Sequence, residues 1–177
     1  MATTGDIWDF SPGSMAVTIT KAAADDDDGI SIMEIVQGPT APVPPLHVHP
    51  TQEERYEVLS GTMTVTENGT EHILRPGDSH TVPPGVPHTY RVGGSDDLRF
   101  RTHHRPGARF EAYMEEIWRM ATVGGVREPD SLGGMLRFAT VVDGFTDVLI
   151  VASRAQRLAM KAFAVVGRGL GYPSSYR

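Results

Sequence analysis

The residues of this chain whose types and spacing could do chemistry lie close together: His47-Val48-His49, then Glu54, then His88 behind Pro83-Pro84-Gly85-Val86-Pro87. Neutral imidazoles and one carboxylate, drawn from separate strands, form a donor set for a divalent transition metal. His47 and His49 stand at i and i+2, so on a strand both side chains leave the same face and chelate with a geometry set by the backbone. Glu54 joins them if the strand restarts after Pro50-Thr51-Gln52, and Glu54, Tyr56 and Val58 then share a face. His88 opens a new alternation, His88-Thr89-Tyr90-Arg91-Val92.

Other polar residues sort by the same parity. Tyr56 goes with Glu54 and Tyr90 with His88, so both are expected inside, where a phenol can orient substrate, donate a proton or fill the core. His80 can face either way. His103 and His104 are adjacent and point to opposite faces, so they cannot chelate together. Glu53 is the outward neighbour of Glu54, and Arg99 and Arg101 read as solvated. Asp25-Asp26-Asp27-Asp28 lacks the spaced D-x-D-x-D-G pattern of a calcium loop and reads as a solvated hairpin loop turned by Gly29.

The elements that must position these groups are short. Strands are expected at Ser14–Thr20, Ile30–Val36, Thr62–Thr66, Glu71–Leu74, Ser79–Val82, His88–Val92 and Leu98–His103, with Asn68-Gly69 as a strong hairpin signal. Residues 1–13, with Trp8 and Phe10 on alternate positions, either cover a sheet edge or form a loose arm. Short strands at this spacing with no helix between them indicate an all-β sandwich or barrel. After Arg105-Pro106-Gly107 the period becomes helical. Helices are expected over Ala108–Val123, from about Asp130 to Phe145 and from about Ser153 to Val166. The chain therefore divides into a β-domain, residues 1–106, and a helical extension, residues 107–177, packed on the barrel or against a partner subunit.

The 177 residues suffice for one domain with a sizeable core. A net charge of −6 disfavours nucleic acid and anionic membranes. With no cysteine there is no disulfide framework, thiolate nucleophile or cysteine zinc site. No stretch reads as a signal peptide or a membrane span, and a cytoplasmic protein is expected.

The arrangement resembles the cupin superfamily, whose motifs are G-x5-H-x-H-x3,4-E-x6-G and G-x5-P-x-G-x2-H-x3-N. His47, His49, Glu54 and Gly61 fit the first; Gly77, Pro83, Gly85 and His88 fit the second. The spacing selects Glu54 over Glu53. Two positions depart: eight residues, not five, separate Gly38 from His47, and Val92 replaces the final Asn. The resemblance implies a double-stranded β-helix, the cupin jelly-roll barrel, carrying a C-terminal α-helical extension. It implies metal ligation by His47, His49, Glu54 and His88 with positions left open for other ligands, as in catalytic rather than structural sites. The expected cofactor is a divalent transition metal, iron first, with manganese, nickel or zinc as alternatives. The expected activity is that of a small-molecule dioxygenase, with Glu54, Tyr56 and Tyr90 as the catalytic residues. A redox-neutral isomerase or lyase, and a non-catalytic small-molecule-binding protein, are the alternatives. A homodimer is expected, since a C2 arrangement covers exposed edge strands.

Overall fold

The structure, a computed structural model, describes residues 2–11, 14–125 and 131–176. These form two antiparallel sheets facing each other, followed by three α-helices. The first sheet contains β1 (Ile7–Ser11), β2 (Met15–Lys21), β3 (Ser31–Gln37), β5 (Glu53–Ser60), β8 (Ser79–Val82) and β10 (Leu98–Arg105), in the order β1-β2-β3-β10-β5-β8. The second contains β4 (His47–Val48), β6 (Thr62–Glu67), β7 (Thr70–Leu74), β9 (His88–Gly93) and β11 (Ile150–Val151), in the order β11-β4-β9-β6-β7. This is the double-stranded β-helix with a helical extension.

Alternation makes the sandwich. Along β2, β5 and β10 every second residue is buried, and Val17, Ile19, Tyr56, Val58, Leu98 and Phe100 fill the space between the sheets. From β6, Met63 and Val65 meet them. Branched and aromatic residues suit such half-buried pleated surfaces. Glu53, Arg55 and Glu57 leave β5 on the other side, which puts Glu54 inside as the spacing requires. Arg99 and Arg101 stay on the outer face, both paired with Glu34.

Two glycines do specific work. Gly61 joins β5 to β6 with φ +79°, and a Cβ there would stand 2.7 Å from the Asp97 carbonyl oxygen. Only glycine tolerates both the left-handed backbone and that approach. Gly69 (φ +82°) follows Asn68 (φ 48°) in the β6–β7 hairpin, the two-residue turn whose positive φ angles match strand twist.

Residues 7–11, expected as an edge cover or a loose arm, form the outer strand β1, paired with β2. The Asp run behaves as a turn: Asp26 pairs with Lys21 and its Oδ1 accepts hydrogen bonds from the backbone N–H groups of Asp28 and Ile30.

Helix α1 (Ala108–Thr122) lies against β1, where the Trp118 indole donates to the Asp9 carbonyl at 3.0 Å and stacks near Trp8. Helix α2 (Leu132–Val142) is capped by Ser131, whose hydroxyl accepts from the Gly134 N–H. The expected start of this helix at Asp130 lies outside the described residues. Helix α3 (Arg154–Gly169) crosses α2 at Gly167, where a Cβ would meet Thr140 Oγ1 at 2.4 Å. Among the described residues no helix is long and apolar enough to cross a membrane. Between α2 and α3 the chain supplies β11, which pairs with β4, the strand that begins at His47. The helical extension is thus threaded into the second sheet.

Candidate metal centre

His47, His49, Glu54 and His88 converge. Each is 5% exposed or less, and one donor atom from each lies within 4.8 Å of the others. Three stretches of backbone deliver them. His47 and His49 flank Val48, His88 faces His47 across the β4–β9 ladder, and Glu54 enters from β5 in the opposite sheet.

The protonation pattern of the rings follows from their backbone partners. His47 Nδ1 meets the Pro45 carbonyl at 2.8 Å, His88 Nδ1 the Val86 carbonyl at 2.9 Å, and His49 Nδ1 the Val148 carbonyl at 2.6 Å. A carbonyl only accepts, so each Nδ1 carries the hydrogen and each neutral ring presents its Nε2 lone pair. Those lone pairs point into one space with a carboxylate: Glu54 Oε2 lies 3.1 Å from His49 Nε2 and 2.9 Å from His88 Nε2. Lone pairs facing an anionic oxygen repel unless a proton or a cation lies between them. Three nitrogens and one carboxylate oxygen fit a divalent transition ion, and ring N–H groups bound to carbonyls fix tautomer and orientation as metal-site histidines require.

The electrostatics show the same conflict in the absence of a cation. Burial pushes His47 down to about 4. Burial also opposes charge on His88, but the hydrogen bond and charge of Glu54 outweigh it, and the His88 pKa is raised. Burial works to raise Glu54, yet His104, His49 and His88 together hold its carboxyl well below the usual range. Glu54 is therefore an anion in need of positive partners.

Of the other expected site residues, Tyr90 and Tyr56 are both interior. The Tyr90 hydroxyl donates to Gln37 Oε1 at 2.7 Å, while the Tyr56 hydroxyl is buried with no partner meeting hydrogen-bond geometry. Burial, then the charge of Glu54, raises both phenols, so both remain protonated. His103 and His104 diverge as parity requires, His103 towards Glu57 and His104 inward.

His104 is a site residue that the motifs do not mark. It is wholly buried, its Nε2 stands 3.5 Å from Glu54 Oε1, and Thr102 Oγ1 lies 3.0 Å from both. The Thr102 hydroxyl has one proton, which it donates to Glu54, so His104 Nε2–H donates to Thr102. Phe110 of α1 stacks on His104 with ring centroids 3.4 Å apart and lies edge-on to His49 at 5.7 Å, covering this side of the centre. In the sequence, the inward parity of Phe100, Thr102 and His104 was the available signal; contact with Glu54 requires knowing that β10 pairs with β5.

Residues 32–104 match the family described as Cupin domain. All four candidate ligands and the central strands of both sheets lie inside this segment, which is similar to a cupin domain. Similar solved structures include a cupin-like protein from Thermotoga maritima, at 22% identity, covering 52% of this chain and 68% of that one with a TM-score of 0.46. KdgF from a Halomonas species shares 21% identity over 56% of this chain and 86% of its own, with a TM-score of 0.47. The polyketide cyclase RemF from Streptomyces resistomycificus shares 23% over 53% and 66%, with a TM-score of 0.46. No curated protein matches the chain.

Proposed function

We propose that this protein is a metal-dependent enzyme acting on a small organic molecule, most specifically a dioxygenase with Fe(II) at His47, His49, Glu54 and His88. The observation that carries the metal reading is the orientation of three Nε2 lone pairs, each set by an Nδ1–H bound to a backbone carbonyl, around one carboxylate oxygen. Nitrogen-rich sites with one carboxylate suit O2-activating iron, which when bound supplies the redox chemistry and a point of attachment for substrate. The protein's own groups do the rest. Glu54 neutralises charge through Oε2 and is kept ionised; its Oε1 is held by Thr102. Tyr56 and Tyr90, both protonated, act as hydrogen-bond or proton donors rather than bases. Tyr56 is the better placed, because its hydroxyl lies beside Glu54, whereas the Tyr90 hydroxyl is committed to Gln37. Phe110 keeps bulk water from the His49 side. A homodimer is the proposed assembly.

The test begins with protein purified without added metal and analysed for bound ions, then stripped and reloaded separately with iron, manganese, nickel or zinc. Oxygen uptake is followed across a panel of small organic acids, phenols and sugars. Uptake matched to substrate loss, dependent on iron and abolished in His49→Ala, supports the reading. Substrate consumed with no oxygen uptake overturns the dioxygenase and leaves a redox-neutral, Lewis-acid reaction at the same ligands.

A further inference from the structure

A second cluster of metal-binding residue types lies outside this centre. Glu67 ends β6, His72 lies on β7 and His80 on β8, and one donor atom from each stands within 4.8 Å of the others. All three are on inward faces. Glu67 follows Met63 and Val65 at every second position, His72 sits opposite Val65 in the β6–β7 ladder, and His80 shares parity with buried Val82. β7 and β8 are the outermost strands of their respective sheets, so the cluster closes one open side of the sandwich.

The contacts are specific. His80 Nε2 lies 2.7 Å from Glu67 Oε2 and His72 Nε2 lies 4.0 Å from the same oxygen. The two imidazoles stack across the gap between the sheets, centroids 4.3 Å apart and 27° from parallel. Both Nε2 atoms thus point at one carboxylate oxygen from the same side. Donors each about 2.0–2.1 Å from a tetrahedral ion stand about 3.3 Å apart, and the observed separations fall on either side of that value. The side chains of Glu67, His72 and His80 are 20, 37 and 18% exposed, so water can reach the cluster and complete a coordination sphere.

We propose that Glu67, His72 and His80 form a second divalent transition-metal site, of two nitrogens and one carboxylate, separate from the His47–His49–Glu54–His88 centre. Two imidazoles and a carboxylate favour zinc, nickel or cobalt over magnesium or calcium, which prefer all-oxygen shells. Three protein donors with solvent in the remaining positions make it the weaker and more exchangeable of the two sites. It is also a close neighbour of the first, since Glu67 pairs directly with His88 across the β6–β9 ladder. The assignment does not depend on the dioxygenase reading.

Chelator-stripped full-length protein is titrated with Zn2+ alone, and bound metal is counted after equilibrium dialysis. Four proteins are compared: wild type, the double variant His72→Ala/His80→Ala, Glu67→Gln, and the first-site variant His47→Ala/His49→Ala. The expected result is that the double variant binds one equivalent fewer than wild type, and that the first-site variant keeps an equivalent that disappears when His72→Ala/His80→Ala is added. Glu67→Gln, which removes the anionic donor and keeps both rings, should weaken the same equivalent at least tenfold; it serves as the measure should the double variant misfold. Equal stoichiometry and affinity for wild type, the double variant and Glu67→Gln overturn the proposal.

Discussion

The Nδ1–H of His49 donates to the carbonyl of Val148 at 2.6 Å, across 99 residues of sequence. A candidate ligand of the β-sandwich is therefore oriented by the helical extension. His47 and His88 need no such help, because each finds the carbonyl two residues before it, Pro45 and Val86. The segment that carries Val148 is held by β11, pairing Ile150 with Val48 and Val151 with His47.

Dividing the chain at residues 106 and 107 tests what that contact contributes. Loss of a partner that orients a metal-bound histidine typically weakens metal affinity about 10- to 100-fold. A truncated protein, residues 1–106, should bind metal at least that much more weakly than the full chain in a competition assay with a chromophoric chelator. It should also expose His49 and His104 to solvent where Phe110 now lies. Undiminished affinity would mean that His49 finds its tautomer and orientation without Val148.

His49→Ala and His104→Ala should differ in kind. The first deletes a ligand and should leave protein purified without added metal nearly empty. The second keeps all four ligands but removes the ring that bonds Thr102 and helps hold Glu54 ionised, so affinity should drop about 10- to 100-fold with stoichiometry unchanged. Metal analysis and a competition titration distinguish the two. A His104→Ala protein with unchanged affinity would show the Thr102–His104 pair to be packing alone.

Acid should destabilise the metal-free protein. His104 is pushed down to about 3 and His47 to about 4, in both cases chiefly by burial. Between those values and the ordinary histidine value of about 6.5, the unfolded chain binds more protons than the native one, so stability rises with pH. These two groups thus contribute stability that is full above about pH 6.5 and is lost as pH falls towards 3. Glu54, held low by His104, His49 and His88 against its burial, acts in the same direction, its contribution lost in the acid range below the ordinary carboxylate value. His88 acts oppositely: its raised pKa adds stability below about 6.5 that fades as pH rises through it. His104 and His47 against His88, with Glu54 joining them at the acid end, predict a urea midpoint that declines between about pH 7 and pH 4. A midpoint that is flat or rising towards acid contradicts the prediction. Metal should leave over the same range, as the ligand imidazoles take up protons.

The proposed homodimer has a natural seam on α3. Leu158 and Val165 are 71 and 63% exposed, and Ala162 and Gly169 are exposed with them at alternating four- and three-residue steps. That spacing makes a single stripe of small and branched apolar residues, the pattern by which helices pair. Light scattering should give the mass of a dimer for the wild type and of a monomer for Leu158→Glu/Val165→Glu. A wild-type monomer removes the proposal; a dimeric double variant moves the interface elsewhere.

Local rules in the sequence determined an all-β sandwich or barrel, while the double-stranded β-helix and the set of four candidate ligands came from motifs that resemble those of cupins. Side chains on a strand alternate, so the i, i+2 spacing of His47 and His49 fixed their common face, whereas Glu54, on a separate strand, was chosen over Glu53 by the spacing of the motif it resembles. Gly61 and Gly77 could be placed because turns with positive φ have few acceptable residues, and both have it, at +79° and +91°. Residues 108–123 read as a helix because one face is apolar. Tertiary structure decided everything that depends on which strands become neighbours. His104 reaches Glu54 only because β10 lies beside β5, and Glu67, His72 and His80 meet only where the last strands of two sheets come together. The Val148 carbonyl carries no signature of any kind, since every residue has one. A two-residue strand such as Ile150–Val151 has too little periodicity to announce itself, and its pairing with Val48 and His47 is set by the path of the whole helical extension rather than by its own sequence.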